Sequence, residues 1–154
     1  ERTPIWDPAA RGAFIGLSAR HTRAHLYRAI LEGVAYAFCQ ISEIADMQGS
    51  TNAIVAIDGG ARSPLWRAIL ASVIGVPVIE GGDRSGTALG SAFLAALGTG
   101  QTTSFQEMAA WTETLSQTDP NSRDQETYSQ LYPVFAGLYA KLLADFHLLY
   151  NISG

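Results

Sequence analysis

At 154 residues, 47% hydrophobic and 16% charged, the chain has the balance of one folded domain with a core of its own, which excludes a disordered segment. A net charge of -4 and a pI near 5.2 argue against nucleic acid or an anionic membrane held by bulk electrostatics. The single cysteine, Cys39, excludes an internal disulfide and reads as a buried, inert thiol of a reducing compartment. With no basic-then-apolar leader, and with apolar runs cut at Glu32, Gly75 and Gly90, no membrane segment and a cytoplasmic location are expected.

The opening ERTPIWDPAARG begins without methionine and reads as the middle of something longer. Pro4 and Pro8 keep it extended or turning, so it is expected to be a loop bearing Trp6 and Arg11. Gly12 to Leu17 predicts a short strand. From Thr22 to about Met47 the pattern is a long helix, and Ala29 to Cys39 has apolar groups on nearly every side, the mark of a helix covered all round. Glu32 lies inside that stretch. A buried carboxylate needs a donor, and Arg28 one turn earlier is the expected partner; a direct catalytic role is the alternative. His21 and His25 have the spacing of a two-histidine metal clamp but no third ligand, which favours a helix start and a packing or surface contact. Gln48 to Asn52 links this helix to the next strand.

Ile54-Val55-Ala56-Ile57 suits a strand buried on both faces and ending at Asp58. Gly59 and Gly60 then permit positive φ and place no Cβ in the way, so either the turn is tight or something packs on bare backbone. Ser63-Pro64 opens a helix, Leu65, Trp66, Ile69, Leu70 and Val73 supply its apolar face, and Gly75 stops it. Val76 to Glu80 starts the next strand. A strand, a glycine turn, a helix and a strand make a βαβ unit, in which ligands collect where strands end and helices begin. No Gly-Lys-Ser/Thr follows, so the turn is not a P-loop, nor is it the Gly-x-Gly-x-x-Gly of dinucleotide sites. The plain alternative is a glycine turn serving only helix–strand packing.

Gly81 to Gly86 reads as a loop, a connector more than an anion site, opening a helix at Thr87. That helix carries small groups at Ala88, Gly90, Ser91, Ala92, Ala95 and Ala96, so another element could approach closely, and Gly98 ends it. Ser104 to Glu107 is a capping box for a short helix to about Trp111. Leu115 to Arg123, polar and holding Asp119-Pro120, reads as a linker. Tyr128 to Phe146 has apolar groups at three- and four-residue intervals, an amphipathic helix expected to kink or break at Pro133. No nucleophile–base order, no Cys-x-x-Cys and no compelling carboxylate pair is present.

Two stretches carry a resemblance. The aliphatic run, Asp58-Gly59-Gly60-Ala61 and a helix bearing Leu65 resemble the adenosine motif of actin-like ATPases, and the extended GGARSPLWRAILASVIGVPV resembles the version in FGGY carbohydrate kinases. Upstream, Gly12-x-Phe14-x-Gly16-Leu17, seven residues, His25-Leu26, two residues, then Ala29-Ile30-Leu31-Glu32 is similar to that family's C-terminal signature at every specified position. The resemblance implies an α/β fold: a partial actin-like ATPase (ribonuclease H-like) domain, with a mixed sheet and long packing helices. Residues 1–154 would be the nucleotide-side, C-terminal domain of a kinase that uses ATP and Mg²⁺ to phosphorylate a sugar, sugar alcohol or sugar acid. Gly59, Gly60 and Ala61 would lie against adenosine. Pro64 stands where some members have an asparagine reaching the nucleotide, and Asp58 where a triple-glycine variant has its first glycine.

In that family the sugar pocket, the catalytic aspartate and the N-terminal phosphate loop come earlier in the chain. The resemblance therefore implies no catalytic residue here, a sugar bound through an absent N-terminal domain, and no activity for these residues alone. The opening segment leans towards gluconate- or xylulose-type kinases. The alternative is a stand-alone actin-like half-domain serving as a non-catalytic binding or scaffold module. Missing early strands would leave a sheet edge and the apolar first helix uncovered, so self-association as a homo-oligomer is expected.

Overall fold

The computed structural model describes residues 3–45, 51–82, 86–112 and 114–153. They form helix α1 (Arg23–Ile44), strand β1 (Ile54–Ala56), the single-turn helix α2 (Asp58–Ala61), α3 (Pro64–Ile74), β2 (Val78–Gly81) and α4 (Thr87–Gly98). A 3-10 turn (Phe105–Glu107) runs into α5 (Met108–Trp111), followed by β3 (Thr114–Thr118) and α6 (Ser122–Ser153). The expected end of the first helix near Met47, the start of the Gln48–Asn52 link and the middle of the Gly81–Gly86 loop lie outside the described residues.

The βαβ unit forms as its local chemistry directs. Ser63 Oγ accepts from Trp66 N at 3.3 Å, Pro64 takes the first helical position, and Gly75 ends α3 at φ 85°, its N–H donating to Ala71 O at 2.8 Å. β2 returns parallel to β1, with Ile54 opposite Val78, and β3 adds antiparallel beyond β2, giving a three-stranded mixed sheet in the order β1-β2-β3. α1 and α3 pack on each other and on this sheet through Ala35, Ile69, Leu70, Ala71 and Val78, with Leu31, Ile54, Ala56 and Trp66 against them. α6 closes the third side. The Tyr36 ring sits 6.0 Å from Tyr128, 5.9 Å from Tyr132 and 5.2 Å from Phe135, so α1 and α6 are joined by an aromatic cluster.

Several expectations need correction. Residues 12–17 form no strand: among the described residues the ladders join only β1, β2 and β3, and a strand without a partner has unpaired backbone. β1 is not buried on both faces; Ile54 and Ala56 turn to the core while Val55 is exposed. The polar stretch read as a linker contains β3. An edge strand needs little apolar cover, and here Ser116 and Thr118 hydrogen-bond into the fold. α1 is not covered all round, since Tyr27, Ile30, Val34 and Phe38 form an exposed stripe. α6 is not broken at Pro133 but runs through it as one 32-residue helix, with Tyr132 and Phe135 on either side of the proline both packed on Tyr36. The small residues Ala88, Ser91, Ala92 and Ala95 of α4 are exposed, and α4 instead packs Phe93 on Phe105 and Trp111.

The charged groups inside the fold are tied. Glu32 Oε1 accepts from Arg28 Nε at 2.7 Å and from the Tyr128 hydroxyl at 2.9 Å, while Arg28 Nη2 donates to Tyr128 at 2.8 Å. The expected Arg28 partner is therefore present, and Glu32 serves the α1–α6 contact. Burial pushes the Tyr128 hydroxyl up to about 12 and the Cys39 thiol, which donates to Val73 O, up to about 11. His25 Nδ1 lies 3.2 Å from Thr22 N and His21 Nδ1 lies 2.8 Å from Ser18 N, so each ring serves a backbone turn at the start of α1.

The N-terminal loop is strapped to α6 by Asp7. Its carboxylate accepts from the Tyr139 hydroxyl at 2.8 Å and from Ala9 N at 2.8 Å, and lies 3.1 Å from His147 Nε2; Arg11 stacks over the Tyr150 ring. The Tyr139 hydroxyl, then the Ala9 N–H and His147, hold the Asp7 carboxyl below the usual carboxylate range. A depressed folded pKa stabilises the fold above the unfolded value and loses that contribution as pH falls through the folded one. Tyr139→Phe is therefore expected to lower stability at pH 7, with a deficit that shrinks below about pH 4, as read by urea melts across that range.

A second tie joins three elements. Arg67 of α3, with its side chain 9% exposed, donates Nη1 to Ala61 O, contacts Glu80 Oε2 at 3.0 Å and donates Nε to Thr118 Oγ1 at 3.3 Å. Arg67→Met should leave the Glu80 charge uncompensated and cost about 3 kcal/mol in denaturant melts, as for other broken buried pairs. A loss below about 1 kcal/mol, the worth of an exposed ion pair, would show that the tie carries little.

Candidate functional site

The residues after β1 do not form an open left-handed turn. Among the described residues the glycines with positive φ are Gly16, Gly75 and Gly100; Gly59 and Gly60 lie instead in the single helical turn α2. Their use is therefore not the φ freedom but the missing side chain. A Cβ placed on Gly59 would meet nothing within 4 Å, and one on Gly60 would meet only the edge of Trp66 at 3.9 Å. The backbone here is bare and open, with room that protein side chains do not fill.

Two cavities flank it. The first, about 410 Å³, is lined by Gly59, Ala61, Arg62, Glu80, Gly81, Gly82 and Leu115, and so opens at the C-terminal ends of the adjacent parallel strands β1 and β2. That is where open α/β sheets take their ligands. The second, about 400 Å³ and shallower, lies between α1 and α3 against Tyr27, Leu31, Val34, Gly59, Gly60, Ser63 and Trp66. Gly59 borders both. Ala61 is 3% exposed, its carbonyl held by Arg67. Pro64 is exposed at the start of α3 and lines neither cavity.

The bare turn, with its free Cβ positions, leaves room for a ligand to lie directly on the backbone. Among the described residues no group of three His, Cys, Asp or Glu side chains is placed to hold a metal ion. Sequence reading missed Glu80, which passed as the end of a strand, and Arg67, which passed as one position of an apolar helix. A carboxylate just before Gly81-Gly82 and a lone arginine between Trp66 and Ile69 were the available signals.

Comparison with known proteins places this arrangement. The model of the FGGY family of carbohydrate kinases, C-terminal domain, matches residues 1–99. A xylulose kinase of Staphylococcus epidermidis is 33% identical over 159 aligned positions, covering 98% of this chain and 32% of that protein. A gluconokinase of Bacillus subtilis is 32% identical over 142 positions, covering 90% of this chain and 27% of that protein. Among solved structures, the gluconate kinase from Lactobacillus acidophilus superposes with a TM-score of 0.87 at 27% identity, over 96% of this chain and 30% of that one. The xylulose kinase from Rhodospirillum rubrum gives 0.78 at 39% identity, over 92% and 29%. The chain spans about a third of the length of the curated relatives it matches (32% of the first). With its α/β fold, mixed sheet and glycine turn at the strand ends, the chain belongs to the FGGY family of carbohydrate kinases and matches that family's C-terminal domain.

Proposed function

We propose that this chain is the ATP-side portion of a carbohydrate kinase that transfers the γ-phosphoryl group of ATP to a hydroxyl of a sugar or sugar acid. The observation that carries the reading is the bare backbone at Gly59 and Gly60, open to cavities at the end of β1. In the proposed site the adenosine lies on Gly59 and Gly60, the Ala61 methyl stays turned into the protein, and Pro64 sets the start of α3 beside the turn without a side-chain hydrogen bond. ATP, when bound, supplies the transferable phosphoryl group, and Mg²⁺ accompanies its phosphates.

Residues 1–154 then act as the C-terminal domain, and the sugar pocket and the base that orients the attacking hydroxyl come from the further length that the relatives have. On this reading residues 1–154 bind nucleotide but do not phosphorylate sugar alone. The proposed enzyme works in the cytoplasm, where ATP is supplied and the free thiol of Cys39 stays reduced. Among the described residues no helix is long and apolar enough to cross a membrane. The stripe of Tyr27, Ile30, Val34 and Phe38 and the exposed Val55 of edge strand β1 favour self-association of the isolated chain.

Two measurements test this. Calorimetric titration with ATP should show binding by the wild-type chain and at least tenfold weaker binding by Gly60→Val, with circular dichroism unchanged because a Cβ there meets only the Trp66 edge at 3.9 Å. A folded wild-type chain with no affinity for adenine nucleotides would favour the non-catalytic binding module. Light scattering at high concentration should report a dimer or larger species, and a monomer would refute the self-association.

A further inference from the structure

We propose that Glu80 recognises the ribose of the nucleotide, its carboxylate accepting hydrogen bonds from the 2′- and 3′-hydroxyls; the proposal rests on the nucleotide reading above. Glu80 stands near the C-terminal end of β2, beside and parallel to the strand that leads into the glycine turn, and it lines the same cavity as Gly59 and Ala61. Open α/β sheets take ligands at the carboxyl ends of their strands, where Glu80 stands, and in dinucleotide-binding folds a carboxylate past the glycine turn accepts from a ribose hydroxyl, a chemistry that Glu80 can offer here without that fingerprint. The cavity, about 410 Å³, is of ligand size.

The carboxylate is held for this purpose. Arg67 Nη1 at 3.0 Å and Ser116 Oγ at 2.7 Å both address Oε2, which fixes the side chain from two directions. Among the described residues no hydrogen bond falls on Oε1. The side chain is 16% exposed, at the cavity that it lines. An ionised carboxylate only accepts hydrogen bonds, so the part of a nucleotide that meets it must carry donors. The base offers at most an exocyclic amine, whereas the ribose offers two adjacent hydroxyls. A flat base on Gly59 and Gly60 with the ribose turned towards β2 meets that condition.

Because Ser116 donates to Oε2 and Arg67 pairs with it, a glutamine at position 80 would turn its carbonyl oxygen to them and its NH₂ to the cavity, where a neutral group that can only donate to a hydroxyl oxygen replaces the charged acceptor. The test compares binding of ATP and 2′,3′-dideoxy-ATP, by calorimetry, to the wild-type chain and to Glu80→Gln. The wild type should prefer ATP by about tenfold or more, the worth of one charge-assisted hydrogen bond. In Glu80→Gln the preference for ATP over dideoxy-ATP should fall several-fold, because a neutral hydrogen bond replaces a charge-assisted one. A wild type that binds both nucleotides equally overturns the proposal without needing a variant, as does a Glu80→Gln chain that keeps the preference in full. A wild type that binds neither nucleotide overturns the kinase reading itself, and this proposal with it.

Discussion

The buried guanidinium of Arg67 is the constraint on which the rest of the site depends. α3, the carbonyl end of α2, β2 and β3 all meet at this one group, through Ala61 O, Glu80 Oε2 and Thr118 Oγ1. A planar five-donor cation fits that task because its donors leave in fixed directions. It sets where the glycine turn ends relative to the strand that runs beside it. The turn can be bare of side chains, and still well placed, because its position is set from behind.

α1 has the complementary role of a spine with two unlike faces. One face gives Ala35 and Tyr36 to the core and holds α6 through the Tyr36 cluster and the Arg28–Glu32–Tyr128 network. The other presents Tyr27, Ile30, Val34 and Phe38 to the outside and borders the second cavity through Tyr27 and Val34. A contiguous apolar stripe of this kind marks a surface that works against another surface. It begins beside the glycine turn, so whatever covers α1 also approaches the cavity between α1 and α3.

At the opposite end, Asp7 joins the first described residues to the last helix. A carboxylate that is 6% exposed and takes donors from Tyr139, Ala9 and His147 turns an otherwise exposed loop into a strap. The segment from Gly12 to Leu17 lies between that strap and α1 without pairing to the sheet among the described residues, and its apolar groups Phe14, Ile15 and Leu17 are exposed. The glycine turn and the strap thus rest on the same device: a charged group, buried and fully addressed by donors or acceptors, holding a segment that has little apolar packing of its own.

What the residues determined alone are the features whose causes lie within a few positions of one another. Ser63, Pro64 and Gly75 delimit α3 by capping chemistry, the spacing from Tyr128 to Phe146 marks an amphipathic α6, and Glu32 finds Arg28 one turn away. The glycine turn was legible too, as a place where backbone is left bare. What only the tertiary structure decided are the features whose causes lie far apart in the chain. β3 is a strand because Ser116 and Thr118 meet Glu80 and Arg67, 36 and 51 positions away, and nothing in its polar sequence announces that. Likewise α1 looks uniformly apolar in sequence, and only the arrangement of α3 and α6 decides which of its faces is covered. Local hydrogen-bonding and periodicity are written along the chain, whereas pairing and burial depend on partners that the chain must first bring together.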